Sequence, residues 1–272
     1  MEKLQAAIEK ARKQRAGQGS PRQMSGRRSG SPVAMSEEWA ALAPFEVSAR
    51  HAQQNRLVSL DGGIEAGPFD MLRTRILQQA SNNDWKRIAL VSPHSACGKT
   101  TTAANLIFSF GRQADLRTMV LDLDLRRQGL AKVLGLNREG HMGDVLQGTT
   151  SFAEHGRRWG DNVAVGLNSG TIENASEILQ STKTKQTLDD IQAQYAPDIM
   201  LLDMPPLIGT DDNFGFLQNV DCAILLAEAE RTTVEQVDIA ERQLSELTTV
   251  MGVVLNKSHF SDGAYGYGYG YA

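Results

Sequence analysis

Little in this 272-residue chain is available to hold it together covalently. It has two cysteines, Cys97 and Cys222, too few for a disulfide framework and without the paired spacing of a cysteine-rich metal site. No run of about 18 apolar residues occurs, so the sequence predicts no membrane span. The N-terminus lacks the apolar core of an export signal, so a cytoplasmic location is expected. Aromatic residues are scarce at 6%, yet four of the five tyrosines, Tyr265, Tyr267, Tyr269 and Tyr271, alternate with glycine in the closing "YGYGYGYA". Tyrosine is costly to leave in water, and glycine offers it nothing to pack on, so the tail must have a purpose outside the core.

What is present is ordinary for a globular domain: 41% hydrophobic and 22% charged residues. The net charge of −4 hides an asymmetry, because residues 1–30 carry eight Lys and Arg against two Glu. The remainder is acidic and does not have the character of a nucleic-acid surface. Residues 1–15 can form a short helix with Leu4, Ile8 and Ala11 on one face, although such a helix is marginal alone. Residues 17–32, "GQGSPRQMSGRRSGSP", read as a linker too polar to order itself. The division expected is a basic arm over 1–44, a domain over 45–260 and a flexible Gly/Tyr tail over 261–272. The arm reads either as a solvated tail or as a docking segment for a partner or an anionic membrane surface.

Within the domain, apolar runs of strand length alternate with amphipathic segments. The runs are "RIALVS" (87–92), "RTMVLD" (117–122), "NVAVGL" (162–167), "DIMLLD" (198–203), "DCAILLA" (221–227) and "VMGVVLN" (250–256), and the helical stretches include 99–113, 176–195 and 232–247. This pattern predicts an α/β fold, a mostly parallel sheet covered by helices on both faces. Ligands in such sheets bind beyond the carboxyl ends of the strands, so the residues that follow each strand carry the functional signal.

After the first strand comes "SPHSACGKTTTAANL". Gly98, Lys99 and Thr100 opening a helix form the core of a phosphate-binding loop: backbone N–H groups face phosphate oxygens, the lysine reaches the outer phosphates and the hydroxyl binds magnesium. Pro93 stands where the strict motif has its first glycine. The next strand ends "VLDLDLRRQ", which delivers Asp122 and Asp124 beside the expected phosphates. Magnesium on ATP takes one or two carboxylates plus waters, and Asp122 is also suited to accept a proton. The strand "IMLLDMPP" supplies Asp203 as a second carboxylate on the magnesium side. Asp211 and Asp212 could cap the following helix. Asn256 could hold an adenine edge or close a turn.

These motifs, in this order, resemble the bacterial tyrosine kinases of capsule and exopolysaccharide assembly, a branch of the deviant P-loop ATPases. The resemblance covers roughly residues 57–258 and the terminal tyrosines. "SPHSACGKTT" resembles the Walker A loop, "VLDLDLRR" the kinase-specific Walker A′ motif and "LLDMPP" Walker B; "NASEIL", "QVDIAERQL" and "GVVLNK" have similar counterparts. The resemblance implies a P-loop fold of the partitioning-ATPase type, with MgATP as cofactor. Lys99, Asp122, Asp124 and Asp203 would be catalytic, and Thr100, Asp122 and Asp203 would hold the metal. Ala96, Cys97, Gly98, Lys99, Thr100, Thr101, Arg126 and Asn256 would hold the nucleotide, and Tyr265, Tyr267, Tyr269 and Tyr271 would accept phosphate between subunits. Implied partners are further copies of the chain, a membrane-embedded regulator of polysaccharide chain length and a tyrosine phosphatase, but no nucleic acid.

Three departures stand out. Ala96-Cys97 replaces the family's Gly-Glu. His94 occupies the place of the partitioning ATPases' signature lysine, which favours the kinases. Of the family's Glu-x-x-Arg-x-x-Arg subunit-contact pattern, Gly67, Asp70 and Arg73 retain only the arginine at 73, leaving Asp70 and Arg75 to offer a different contact. The tail's reach is adequate: the 14 residues from Lys257 to Tyr271 span about 20 Å as a flexible chain and about 46 Å fully extended.

Overall fold

The computed structural model describes residues 34–136, 140–209 and 211–258. The helix expected over 1–15, the linker and the tyrosine tail lie outside the described residues. The chain begins with α1 (Glu37–Ala41), the two-residue strand β1 (Ala43–Pro44) and α2 (Ala49–Gln54). A long helix, α3 (Gly67–Asn83), leads to β2 (Arg87–Val91), α4 (Lys99–Gly111) and β3 (Thr118–Asp122). Three short helices follow, α5 (Gly129–Leu134), α6 (Met142–Gln147) and α7 (Phe152–His155), before β4 (Arg157–Trp159) and β5 (Val163–Gly166). The chain continues through α8 (Ala175–Gln180), α9 (Thr182–Tyr195), β6 (Ile199–Asp203) and α10 (Asp212–Phe216), then β7 (Cys222–Glu228), α11 (Val234–Leu247) and β8 (Thr249–Asn256).

The strands form one sheet in the order β1-β4-β5-β3-β6-β2-β7-β8, parallel throughout except for the antiparallel pair β4–β5. Strands β2, β3 and β6 are buried at every position, because each supplies two cores at once. Ala89, Val91, Met119, Leu121, Met200 and Leu202 point into a core completed by Leu188 and Ile191 of α9 and by Ala240 and Leu244 of α11. The alternate residues Ile88, Leu90, Val120, Ile199 and Leu201 enter the opposite core with Ile76 of α3 and Leu106, Ile107 and Phe110 of α4. Each such aliphatic side chain contributes about 1.5–3 kcal/mol on burial. A strand apolar on both faces loses the period-two signature and reads as a continuous run, which is why these elements are visible in the sequence.

Three expectations change. The amphipathic stretch 176–195 is two helices rather than one. Ser181 is extended (φ −71°, ψ 146°), and its hydroxyl accepts the Thr184 N–H at 3.1 Å, so it ends α8 and caps α9. The edge strand β1 and its neighbour β4, two and three residues long, are too short to stand out in a sequence. The domain also starts earlier than residue 45, because Trp39 and Leu42 are buried. The indole of Trp39 donates to the Tyr195 carbonyl at 2.8 Å and meets the Tyr195 ring edge-on at 6.3 Å. An acidic, alanine-rich surround hides this anchor from a composition-based boundary. Trp39→Ala is expected to cost about 3–5 kcal/mol, measured by denaturant unfolding; a loss below about 1 kcal/mol would return residues 34–44 to the arm.

Candidate active site

Parallel register builds the site. Asp122 at the end of β3 lies opposite Asp203 at the end of β6, and Asp203 also lies opposite Leu90 of β2. The loop after β2 therefore closes over both carboxylates and runs into α4. Gly98, the residue before α4, has φ +86°, and a Cβ there would come within 2.3 Å of the Asn256 Nδ2. Glycine is required here by backbone and by space alike. Ala96 also takes a left-handed conformation, φ +70°, which glycine would adopt at lower cost. Beneath the loop lies a cavity of about 260 Å³, lined by residues 95–101 together with Ser92, Asp124, Arg127, Gly129, Pro206 and Lys257. The amino end of α4 faces it, with unsatisfied N–H groups and a positive dipole end suited to phosphate.

Lys99 is buried and its Nζ lies 2.6 Å from Asp203 Oδ1. Asp122 is fully buried; its Oδ1 accepts the Asp124 N–H and its Oδ2 the Leu130 N–H, each at 3.2 Å. Burial, reinforced by the neighbouring Asp203, pushes the Asp122 carboxyl well above the usual carboxylate range, against the opposing pull of the Leu130 hydrogen bond and Lys99. Burial likewise raises Asp124, with Lys99 pulling it back. Among the described residues Asp203 Oδ2 is buried without a hydrogen-bond partner. Two adjacent aspartates, one orphaned oxygen and the Thr100 hydroxyl make an all-oxygen donor set that fits a hard divalent cation such as magnesium.

Lys99, Thr100, Thr101, Asp124 and the loop residues 96–98 thus meet at one cavity, with Asp122 and Asp203 at the base of its strands. Two residues expected at the nucleotide make side-chain contacts within the chain. Arg126 is committed to Asp212 in a two-pronged ion pair, Nε to Oδ2 at 2.9 Å and Nη2 to Oδ1 at 3.0 Å. Its neighbour Arg127 lines the cavity instead. Consequently Asp212 is an ion-pair partner and not a helix cap, and Asp211 precedes α10 without a side-chain capping bond. Asn256 holds the loop itself: its Nδ2 donates to the Cys97 carbonyl at 2.8 Å, and the Lys257 Nζ donates to the Ala96 carbonyl at 2.7 Å. The end of β8 is therefore a latch on the phosphate loop.

Sequence reading missed three contributors. Asn168 donates to the Asp122 carbonyl at 2.9 Å and accepts the Met142 N–H at 3.0 Å, tying the Asp122 strand end to α6. Gly129 clears space for Thr100, since a Cβ would lie 3.3 Å from the threonine hydroxyl. Lys257, visible in "VVLNK", gave no sign of its loop contact, because that contact bridges 161 positions. The expected alternative subunit contact through Asp70 also changes. Asp70 Oδ1 accepts from Ser109 and Arg112 of its own chain, and Arg73 donates to the Ser109 carbonyl at 2.7 Å. Both side chains fasten α3 to α4, leaving Arg75 exposed.

A phosphate loop at the carboxyl end of a parallel sheet, facing two strand-end aspartates, defines a P-loop nucleotide-binding domain. Residues 88–262 match the family described as the CobQ/CobB/MinD/ParA nucleotide binding domain. The chain belongs to that family and, within it, to the bacterial tyrosine-protein kinases. It is 30% identical over 203 residues to the tyrosine-protein kinase CpsD of Streptococcus pneumoniae serotype 4, covering 73% of this chain and 86% of CpsD. EpsB of Ralstonia solanacearum is 29% identical over 225 residues, which are 79% of this chain but only 28% of EpsB, so the chain spans under a third of that relative. The kinase domain of Escherichia coli tyrosine kinase ETK superposes with a TM-score of 0.66 at 19% identity, covering 87% of this chain and 95% of that domain. Among the described residues no helix is long and apolar enough to cross a membrane.

Proposed function

We propose that this chain is an ATP-dependent protein tyrosine autokinase whose acceptors are its own Tyr265, Tyr267, Tyr269 and Tyr271, reached between subunits. The observation that carries the proposal is the convergence of Lys99 and Asp203 at 2.6 Å, with Asp122 beside them in register, beneath a phosphate loop. Bound MgATP supplies the γ-phosphoryl group as electrophile. The N–H groups at the start of α4 orient its phosphate oxygens. Lys99, moving from Asp203 to the outer phosphates, offsets charge in the transition state. Thr100, Asp122 and Asp203 hold the cation.

A tyrosine hydroxyl has a pKa near 10, so it needs an acceptor close by. Asp122 takes the phenolic proton as the tyrosine oxygen bonds to phosphorus and the bond to the departing ADP oxygen breaks. The transition state is loose, so positioning matters more than full deprotonation. Asp124, also on the cavity, supports this charge arrangement. Tethering gives an effective acceptor concentration on the order of millimolar. Each phosphate adds roughly −1.5 to −2 charge to a tail attached to an acidic body, which loosens the oligomer and so regulates polysaccharide polymerisation and export. Partners on this reading are copies of the chain, a membrane-embedded chain-length regulator and a tyrosine phosphatase, with the protein acting at the inner membrane face.

Incubation with radiolabelled ATP and magnesium, followed by phosphosite mapping, is expected to place label on the four tail tyrosines. ATP turnover with no tyrosine label would instead favour a partitioning-type ATPase switch.

A further inference from the structure

The phosphate loop also meets the end of β7, and there it brings together side chains to which the phosphoryl transfer described above assigns no role. His94 and Cys97 lie in the loop, and Glu228 is the last residue of β7. One donor atom from each, an imidazole nitrogen, the thiol sulfur and a carboxylate oxygen, lie within 4.8 Å of one another. Cys97 is 1% exposed and Glu228 9%. The Cys97 Sγ lies 3.4 Å from His94 Nδ1 and 3.7 Å from Nε2, so the ring is already turned toward the sulfur.

We propose that His94, Cys97 and Glu228 form a three-ligand site for a borderline-soft divalent metal, zinc foremost, that ties the phosphate loop to β7. The donor chemistry discriminates between metals. A thiolate and an imidazole suit zinc, with a carboxylate as the third ligand, whereas magnesium and calcium take oxygen sets. Three protein ligands leave a fourth tetrahedral position for water or for Thr232, whose Oγ1 lies 2.9 Å from His94 Nε2 and 4.0 Å from the Cys97 sulfur. Glu228 is already oriented from outside the cluster: Lys257 Nζ donates to its Oε1 at 2.9 Å, while Oε2 lies 3.5 Å from Arg231. Such outer partners aim a ligating carboxylate. Lys257 also holds the Ala96 carbonyl, so the metal and the β8 latch would act on the same four-residue turn. Zinc uptake requires deprotonation of Cys97 and releases that proton to solvent. Nothing in the sequence announces this site, because Glu228 is remote from the His-x-x-Cys pair.

The test uses the full chain, stripped with chelator and free of nucleotide, and its readouts are independent of kinase activity. Zinc titration against a competing chromophoric chelator is expected to show one tight site per chain with release of about one proton. Cobalt in place of zinc is expected to give a thiolate-to-cobalt charge-transfer absorption. That band should vanish in Cys97→Ser, persist in Cys222→Ala, and change position or weaken in His94→Gln and Glu228→Gln. Zinc at 100-fold above Kd should raise Tm by about 5–10 °C. Circular dichroism identifies any variant that fails to fold, in which case the wild-type stoichiometry and the cobalt band decide. Absence of stoichiometric zinc uptake by the wild-type chain, or a thiolate band that survives in Cys97→Ser, overturns the proposal.

Discussion

Lys99→Met is expected to lower tyrosine labelling by at least about 10²–10³-fold, the scale of losing one preorganised charge donor. It should also destabilise the protein, because Lys99 and Asp203 form a pair at 2.6 Å with side chains 7% and 0% exposed. Removing one member of a buried pair leaves the other uncompensated, at about 3–5 kcal/mol. Here the cost falls on Asp203, which already has one oxygen without a partner and Asp122 as its neighbour. Lost activity could then reflect lost structure, and the double variant Lys99→Met with Asp203→Asn separates the two. Neutralising both partners should recover most of the stability in a denaturant titration while labelling stays absent. Labelling that returned with stability would show that Lys99 acts only as a structural counter-charge.

Asp122→Asn should have the opposite effect on stability and the same effect on activity. Burial and Asp203 raise the folded-state pKa of Asp122, so the folded chain keeps a proton that the unfolded chain has released. The pH window opens near the ordinary carboxylate value of about 3.9 and closes at the raised folded value. Across it stability falls as pH rises, because the folded state binds more protons than the unfolded one. Asparagine does not titrate, so the variant should lose that slope. In chelator-treated protein at neutral pH it should melt higher, by about 2–4 °C for each kcal/mol gained. Part of that gain is set back, because the amide nitrogen replaces one of the two oxygens that accept the Asp124 and Leu130 N–H groups. Phosphorylation of the tail tyrosines should nevertheless be abolished, since the site loses one anionic cation ligand and its proton acceptor together. A melt of Asp122→Asn unchanged or lower across acid to neutral pH would mean that Asp122 is charged without cost in the free site.

The two substitutions divide the site into parts that favour folding and parts that oppose it. Lys99 offsets the charge that Asp203 brings into the core, whereas the charged form of Asp122 is disfavoured by the same surroundings. Strained or disfavoured groups of this kind concentrate where function requires them. Ala96 at positive φ is a smaller instance, secured from outside by Asn256 and Lys257.

The site was legible in the sequence wherever chemistry and local order coincide. "GKT" after an apolar run, "DLD" after a second and "LLD" after a third each place a charged group at a strand end. Parallel register then brings Asp122 and Asp203 side by side without further instruction. Five of the six expected strands, β2, β3, β5, β6 and β7, were legible for a related reason, since burial on both faces leaves an unbroken apolar stretch, whereas β8 is apolar although partly exposed at the sheet edge. The short strands β1 and β4 lack that stretch. The break at Ser181 is hidden because the apolar positions keep a helical spacing on both sides of it. Trp39 looked like part of an arm because its partner, Tyr195, is 156 residues away.

By itself, then, the sequence determined the layered α/β plan, the phosphate loop and its two carboxylates, and the tyrosine-rich terminus, all features written in contiguous residues. Only the tertiary structure decided that Arg126 belongs to Asp212, that Asn256 and Lys257 latch the loop, and that His94, Cys97 and Glu228 stand together behind it. The physical reason is common to these cases. Hydrophobic periodicity is a local signal that survives in one dimension, whereas an ion pair or a ligand cluster depends on which side chains the sheet order brings within about 3–5 Å. Residues 97 and 228 become neighbours only because β7 lies beside β2.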